Sequence, residues 1–489
     1  MPHKALLSER DYQVKPPRSE ERGILIMDGE KRKETAMRRV SIFIGILVFL
    51  ISGSPPAIAA DVLTLEKSIE IAVERSLSVL SADEEVRAKE FEERAAKADF
   101  YPKLSTSYTY TRIDSSTFDD AKATIPAYNP ITGTLVPREI SPIKPDNYAW
   151  DITGAQPLFT GWRLTLARDL ASLGVDIAQI QKETTVQNLV LEVKKAYYGI
   201  LKAEKLRTVA KQSVEQLKAQ LEVSKAFFEE GLTAKNDLLQ TEVQMAQARQ
   251  DLIRATNAVQ LAKSRFNTLL RMGVNEEVEI QDILDYTPVQ LLLDEALERA
   301  VRTRPEIQEV SLAVVSAEKR VQLSKSGYYP SVALIGKYSR ETDDWLLEAI
   351  SGEDPDSWTI TLQGEWTFWE WGKTKHEVAA SRARLTKARH LLNEVQDNIQ
   401  LEVKDAYLSL REAEKNIQVA KTAVVQAEEN FRMNEERYKQ QVATSTDVFV
   451  AETLLTQART NYFNALSDHS IAWARLERAM GIGYETGER

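Results

Sequence analysis

The sequence predicts a mostly helical, exported protein that also contributes strands to a transmembrane β-barrel. Three observations predict this class: one structural unit occurs twice, long stretches carry a heptad pattern, and short ribbons alternate polar with apolar residues. The chain has 489 residues, of which 43% are hydrophobic and 28% charged. This composition supplies a folded core together with a large polar surface. The sequence therefore favours long paired helices joined to a small sheet.

The N-terminal region predicts export. Residues 37–59 have the parts of a secretory signal peptide, namely the basic pair Arg38 and Arg39, an apolar run over 40–52, and the cleavage pattern Ala57-Ile58-Ala59. The alternative of a short membrane anchor is disfavoured by the cleavage pattern. Residues 1–36 form a polar leader, which favours Met27 or Met37 as the true start. No later segment is apolar over about 18 residues, so we expect no transmembrane helix.

Composition also excludes several function classes. The formal net charge is −10, which disfavours nucleic acid as a partner, and the absence of cysteine excludes disulfides and thiol catalysis. No GxxxxGK phosphate-binding motif occurs. The four histidines are scattered, and the carboxylates of the helices are interleaved with lysine and arginine. We therefore expect no enzyme activity, no metal site and no cofactor.

The duplication defines the domain organisation. EVKKAYYGILKAEK at 192–205 matches EVKDAYLSLREAEK at 402–415 at eight of fourteen positions, 210 residues apart. Each repeat runs through two short helices, a Tyr-Pro step, a β-hairpin and long helices. The first repeat is predicted at 60–273, with its hairpin at 104–159 and its long helices at 161–272. A linker at 274–290 follows. The second repeat is predicted at 291–483, with its hairpin at 331–369 and its long helices at 371–480, and a tail occupies 484–489.

The long helices carry a seam of apolar or small residues at alternating spacings of four and three, which is typical of coiled coils. The first copy runs through Leu189, Val193, Ala196, Ile200, Ala203, Arg207, Ala210, Val214, Leu217, Leu221, Ser224 and Phe228. The second copy runs through Ile399, Val403, Ala406, Leu410, Ala413, Ile417, Ala420, Val424, Ala427, Phe431, Asn434 and Tyr438. Helices of this length exceed what a compact domain requires.

The ribbon SWTITLQGEWTFW at 357–369 places polar residues at odd positions and apolar residues at even positions. Its length suffices to cross a bilayer as a tilted strand, with aromatic residues at the two interfaces. The alternative is a half-buried strand of a soluble sheet. The residues predicted to face the membrane are Tyr108, Tyr110, Trp150, Ile152, Trp358, Ile360, Leu362, Trp366 and Phe368. Four strands are too few to close a barrel in lipid, so several copies of the chain must combine.

The ordered motifs resemble those of TolC-like outer-membrane efflux proteins over residues 60–483. They are the Tyr-Pro steps at 101 and 329, the strand exits PLFTGWR (157–163) and TFWEWGK (367–373), and the helical tips FFEEGLTAKNDLLQTE (227–242) and RYKQQVATSTDVFVAE (437–452). The resemblance implies a homotrimer with a twelve-stranded barrel in outer-membrane lipid. It also implies an α-barrel of long helices that crosses the periplasm.

By the same resemblance, the protein is the passive exit duct of a tripartite efflux pump or a type I secretion system. Its implied partners are a periplasmic adaptor (membrane fusion) protein and an inner-membrane pump of the RND or ABC type. Two other classes remain alternatives: an exported structural coiled-coil or periplasmic spacer without a channel, and an exported enzyme. The substrate, whether drug, metal or polypeptide, stays open.

The resemblance also assigns site residues. Tyr438 and Asp237 match the family pair whose hydrogen bond holds the periplasmic entrance closed, and Asp447 matches an entrance carboxylate. A family arginine that locks the tip is Ala443 here, and a second entrance aspartate is Val450. The predicted adaptor-docking tips comprise Gly231, Leu232, Thr233, Gln441, Val442, Ala443 and Thr444. Independently of the resemblance, Thr444 and Asp447 have the spacing of a helix cap, and Gly231 suits a helix C-terminus.

Overall fold

The computed structural model describes residues 62–114, 123–140, 145–348 and 355–483. The predicted leader, signal peptide and C-terminal tail lie outside the described residues. Within the described part, no helix has both the length and the apolar content needed to cross a membrane.

Eight α-helices and six strands make up the described chain. The helices are α1 (Leu65–Arg75), α2 (Leu77–Ala98), α3 (Arg163–Glu229), α4 (Lys235–Leu269), α5 (Leu293–Thr303), α6 (Pro305–Lys325), α7 (Lys373–Lys439) and α8 (Ser445–Ala479). The strands are β1 (Lys103–Arg112), β2 (Ala123–Asn129), β3 (Thr134–Ile140), β4 (Asp146–Phe159), β5 (Ser331–Thr342) and β6 (Asp356–Glu365). Thr64 caps α1 through its side chain, and Pro305 starts α6, where its missing N–H is tolerated.

The main sheet is antiparallel, with strand order β1-β4-β5-β6. Its register places Tyr108 opposite Trp150, Ile152 opposite Tyr338, and Tyr338 opposite Trp358. Directly opposed residues share a face, as do alternate residues along a strand. All seven predicted membrane-facing residues that lie within strands therefore share one face. The other face is rich in serine and threonine and carries the ion pair of Asp151 with Lys337, 2.9 Å apart.

The second hairpin is shorter than predicted. The sequence pattern extends the last strand to residue 369, but β6 ends at Glu365, so the placement of Trp366 and Phe368 within a strand is wrong for the single chain. The reason lies in the ladder. Glu365 pairs with Ser331, which is the first residue of β5, so the residues after Glu365 have no strand opposite them. An additional hairpin, β2 paired with β3, was not predicted and lies in the loop between β1 and β4.

The two long helices α3 and α7 have 67 residues each, which corresponds to about 100 Å at ~1.5 Å per residue. In α7 the seven seam positions from Ile399 to Ala420 are all buried. In α3 the predicted seam is only partly buried. Arg207 is exposed, and the buried positions in that half include Val209, Ser213 and Gln220. The apolar pattern of α3 is weaker because polar residues occupy part of its packed face.

The segment between the repeats packs against the helices instead of acting as a free linker. Val278 and Leu284 are buried with Tyr197 in one apolar cluster. The hydroxyl of Tyr197 donates to the carbonyls of Leu63, at 3.1 Å, and Gln281, at 2.8 Å. Burial raises the pKa of Tyr197 to about 12, which keeps the phenol protonated as a donor. The start of the first repeat, its long helix and the inter-repeat segment are thereby joined.

Candidate functional site

The candidate site consists of the two turns that join α3 to α4 and α7 to α8. After α3, Gly231 has φ +75°, its N–H donates to the Phe228 carbonyl at 3.0 Å, and the Leu232 N–H donates to the Phe227 carbonyl at 2.8 Å. This pair of hydrogen bonds is a Schellman motif, which satisfies the last carbonyls of a helix. The glycine has no atom within 4 Å of where a Cβ would stand, so only its backbone conformation demands glycine.

The second turn repeats the same geometry without glycine. Gln441 has φ +62°, its N–H donates to the Tyr438 carbonyl at 2.9 Å, and the Val442 N–H donates to the Arg437 carbonyl at 2.9 Å. A side chain in the left-handed region costs roughly 1 kcal/mol or more relative to glycine. The second turn therefore holds a strained residue where the first holds a relaxed one.

The start of α8 is capped as predicted. The Thr444 hydroxyl oxygen accepts from the Asp447 N–H at 3.3 Å, and the Asp447 carboxylate accepts from the Thr444 N–H at 2.8 Å. These two bonds form a capping box. The backbone N–H of Thr444 is the main cause that lowers the pKa of Asp447, followed by the Thr444 hydroxyl. The carboxylate's contribution to the cap is thus present above its ordinary pKa and is lost as the pH falls through the lowered value.

The start of α4 is held differently. Ala234 occupies the cap position and supplies no side-chain bond. Instead, the Thr233 hydroxyl donates to the Asp237 carboxylate at 2.8 Å. The two predicted aspartates are therefore both engaged by a threonine of their own turn. Asp447 is exposed to solvent, whereas Asp237 is half-buried.

No hydrogen bond joins the side chains of Tyr438 and Asp237, so the predicted bond between them is wrong for this structure. The Tyr438 hydroxyl lies 3.1 Å from the Ser224 hydroxyl, which lies 3.3 Å from the Thr241 hydroxyl. Thr241 donates to the backbone carbonyl of Asp237 at 2.9 Å. Two hydroxyls therefore separate Tyr438 from Asp237, and the connection ends at the backbone of the aspartate, not at its carboxylate.

In this hydroxyl chain, the hydrogen bond that Thr241 donates to the Asp237 carbonyl determines which hydroxyl is the donor in each of the other two bonds. Thr241 uses its only hydroxyl proton on the Asp237 carbonyl, so it must accept from Ser224, and Ser224 must accept from Tyr438. Ser224 and Thr241 are fully buried, and Tyr438 is 5% exposed. Buried polar groups without partners are costly, so these three hydroxyls stabilise one arrangement of α3, α4 and α7.

Sequence reasoning missed Ser224 and Thr241 as members of the site. The heptad pattern places Ser224 in the seam as a small residue and gives no role to Thr241. A detectable pattern existed, because Ser224 and Thr241 are polar residues at core-facing positions close to the helix ends. Such residues require hydrogen-bond partners, and a tyrosine at the corresponding level of the seam of α7 is a suitable donor.

Of the remaining predicted tip residues, Leu232 and Val442 are exposed and Ala443 is half-buried. Leu232 and Val442 are 55% and 60% exposed, although both are apolar. Val450, where a second aspartate was expected, is 55% exposed. Within the described residues no group of histidine and carboxylate side chains has a metal-binding arrangement. Burial lowers the pKa of His469, whose ring packs edge-on against Tyr286 with centroids 5.2 Å apart.

Comparison with known proteins agrees with this architecture. A family model described as outer membrane efflux protein matches residues 68–270 and 293–482, one segment in each repeat. Outer membrane protein TolC of Vibrio cholerae serotype O1 is 23% identical over 369 residues, which cover 73% of this chain and 82% of that protein.

Two solved structures show the same fold. The CmeC outer membrane channel of Campylobacter jejuni superposes with a TM-score of 0.71 at 13% identity, covering 87% of each chain. The outer membrane protein VceC of Vibrio cholerae gives a TM-score of 0.69 at 18% identity, covering 86% of this chain and 97% of that one. The predicted fold class, a duplicated unit of long helices with strands for a β-barrel, is confirmed, whereas the number of copies in the barrel stays a prediction.

Replacing Gln441 by glycine should stabilise the second tip. The change removes left-handed strain and costs some unfolded-state entropy, so we expect a net gain of a few tenths to about 1 kcal/mol. Slower hydrogen exchange of the Val442 amide, which closes the turn, would report it. Gly231→Gln is the matched control and should accelerate exchange of the Leu232 amide. Equal exchange in all variants would contradict the assigned strain.

Proposed function

The chain belongs to the outer membrane efflux protein family, and we propose that three copies of it form a passive exit duct. It functions as an outer-membrane efflux channel and extends into the periplasm. The family is a channel family and not an enzyme family. In the proposed assembly, substrates move through a water-filled tube, and partner proteins supply energy and selection.

One observation carries the proposal of a trimer. Each chain has a four-stranded sheet with one apolar face, and β1 and β6 are each paired on one side only. Hydrocarbon offers no hydrogen-bond partner to the open edges, so the sheet must close with copies of itself. Two copies give eight strands, which enclose an interior filled by side chains, whereas three give twelve. A duct requires an open interior, so we infer a barrel of twelve strands from three copies.

The proposed assembly is tested with the mature chain, residues 60–489, purified in detergent. We expect a trimer by light scattering with detergent correction, and discrete conductance steps in planar bilayers. A spacer protein without a channel would give neither. A monomer that passes no ions would contradict both the trimer and the duct.

We propose that the hydroxyl chain of Tyr438, Ser224 and Thr241 helps hold the periplasmic entrance narrow. Its support is geometric, since it joins three helices within about two turns of the tips. Asp447 would add one carboxylate per chain at the entrance, three around the axis, and such a ring favours cations. The reversal potential of Asp447→Asn across a potassium chloride gradient reports that contribution.

Tyr438→Phe should raise the single-channel conductance or the open probability. The change removes the hydroxyl of Tyr438 and therefore its hydrogen bond to Ser224, so α7 is held less tightly against α3. The aromatic ring remains, and with it the contact with the Phe227 ring at a centroid distance of 5.5 Å. Tyr462→Phe is the matched control, because the Tyr462 hydroxyl makes no hydrogen bond within the described residues. The same conductance in the wild type and in Tyr438→Phe would contradict the gating role.

We propose that the exposed tips dock with a periplasmic adaptor protein, which couples the duct to an inner-membrane pump of the RND or ABC type. The support is the pair of apolar side chains, Leu232 and Val442, that stand exposed at neighbouring turns. Leu232→Asp with Val442→Asp should abolish co-purification of the adaptor while conductance is kept. Unchanged adaptor capture would place the docking surface elsewhere.

A further inference from the structure

The two strand-to-helix junctions of the repeats differ in the order of one glycine and one tryptophan. Before α3, Gly161 and Trp162 have φ +59° and +66°. Before α7, the equivalent positions are Trp371 and Gly372, with φ +53° and +83°. Both junctions therefore have two consecutive left-handed residues, but the indole side chain has moved by one position.

Glycine is required at the first position of the junction within the chain. A Cβ on Gly161 would stand 2.8 Å from the Ser326 carbonyl oxygen and 2.9 Å from the Tyr329 Cβ, distances that real side chains do not tolerate. The adjacent Trp162 stacks edge-on against Tyr329 with ring centroids 4.9 Å apart. The first junction is thus a close contact between the exit of β4 and the turn before β5.

The equivalent of that turn in the first repeat is residues 98–101. The Tyr101 N–H donates to the Ala98 carbonyl at 3.0 Å, and the Tyr329 N–H donates to the Ser326 carbonyl at 3.1 Å, so both turns have the same backbone bond. Within the described residues of one chain, no hydrogen bond or ring contact joins the turn at 98–101 to the second junction, although Gln156 donates to the Phe100 carbonyl at 2.9 Å. Tyr101 is 68% exposed, Trp369 67% and Trp371 87%.

We propose that β6 of one copy pairs with β1 of the next, and that Trp369 and Trp371 pack against the 98–101 turn of that next copy in a junction wider than its counterpart within the chain. The proposal rests on the trimer proposed above. It commits to a second copy as the occupant because the contact continues the same sheet, whose open edges β1 and β6 require partners in lipid.

The greater width follows from the exchanged residues. Trp371 occupies the place of Gly161, where even a Cβ meets a backbone carbonyl within the chain. A copy of that close contact between chains would drive the indole into the Ala98 carbonyl of the neighbour. The turn must therefore stand farther from the strand exit between chains than within a chain, with the indole filling the gap.

The repeat also fixes the register between copies. The register of β4 with β5 is transferred by replacing each residue with its equivalent in the other repeat. Gly154–Gly336 then corresponds to Gly364 with Tyr108 of the next copy. Thr153–Lys337 corresponds to Gln363 with Thr109 of the next copy. A tyrosine opposite a glycine covers the gap that glycine leaves in a sheet. Phe159–Val332 corresponds to Trp369 with Leu104 of the next copy. Residues 366–369 would thereby gain the partner strand that they lack in one chain.

Engineered cysteines test the register, because the natural chain has none. Gln363→Cys with Thr109→Cys should oxidise into covalent trimers, since each chain links to the next around the ring. Gln363→Cys with Ser105→Cys, four residues out of register, is the control and should stay monomeric on denaturing gels. Covalent trimers from the control pair alone would overturn the proposed register.

Bifunctional maleimides of graded length test the width. The exposed pair Arg163→Cys and Lys325→Cys measures the junction within a chain, and the equivalent pair Lys373→Cys and Lys97→Cys measures it between chains. We expect the pair between chains to require a longer reagent than the pair within a chain. Exchanging the order, Trp371→Gly with Gly372→Trp, should abolish this difference, and Trp371→Gly alone is the companion variant that should reduce it.

The outcomes separate this inference from the proposed function. A trimer whose two junctions are linked by the same shortest reagent would overturn the wider junction and leave the duct intact. A trimer with no link between residues 363 and 109 would overturn the register alone. A protein that is monomeric in detergent would overturn both the assembly and this inference.

Discussion

Backbone hydrogen bonding in the sheet is the constraint on which the rest of this structure depends. Hydrocarbon cannot satisfy a free N–H or C=O, so a lipid-embedded strand must be paired on both sides. Within one chain β4 and β5 meet this requirement, whereas β1 and β6 do not. The end of β6 at Glu365 obeys the same constraint, because the residues after it have no strand opposite them within the chain.

Duplication imposes the second constraint, because equivalent segments face different surroundings. The long helices have 67 residues in both repeats and the helices that follow have 35, so their lengths are preserved. The differences fall at junctions. Gly231 is replaced by Gln441, Ala234 by the cap Thr444, and the Gly161–Trp162 order is reversed. One junction packs on its own chain while its equivalent is exposed, which explains why they diverge.

Much of the fold was predictable because it rests on periodicity. Period two identified the strand residues Tyr108 and Trp358, and the heptad pattern identified the buried stripe of α7. The extent of β6 was not predictable, since a strand ends where its partner ends and the partner's start at Ser331 is not encoded in β6. At the site, the Thr444–Asp447 cap is local and was predicted. The hydrogen bond of Tyr438 is not local. Its hydroxyl bonds to Ser224 of α3 instead of Asp237, and Ser224 bonds in turn to Thr241 of α4, so the partners come from other helices.

The hydroxyl chain beneath the tips consists of one phenol, two alcohols and a backbone carbonyl, with no carboxylate or ammonium group among its members. Contacts between charged groups weaken as ionic strength rises, whereas hydrogen bonds among hydroxyls and a backbone carbonyl are not subject to that screening. We therefore expect this hydroxyl chain to depend less on salt than a contact made of ion pairs would.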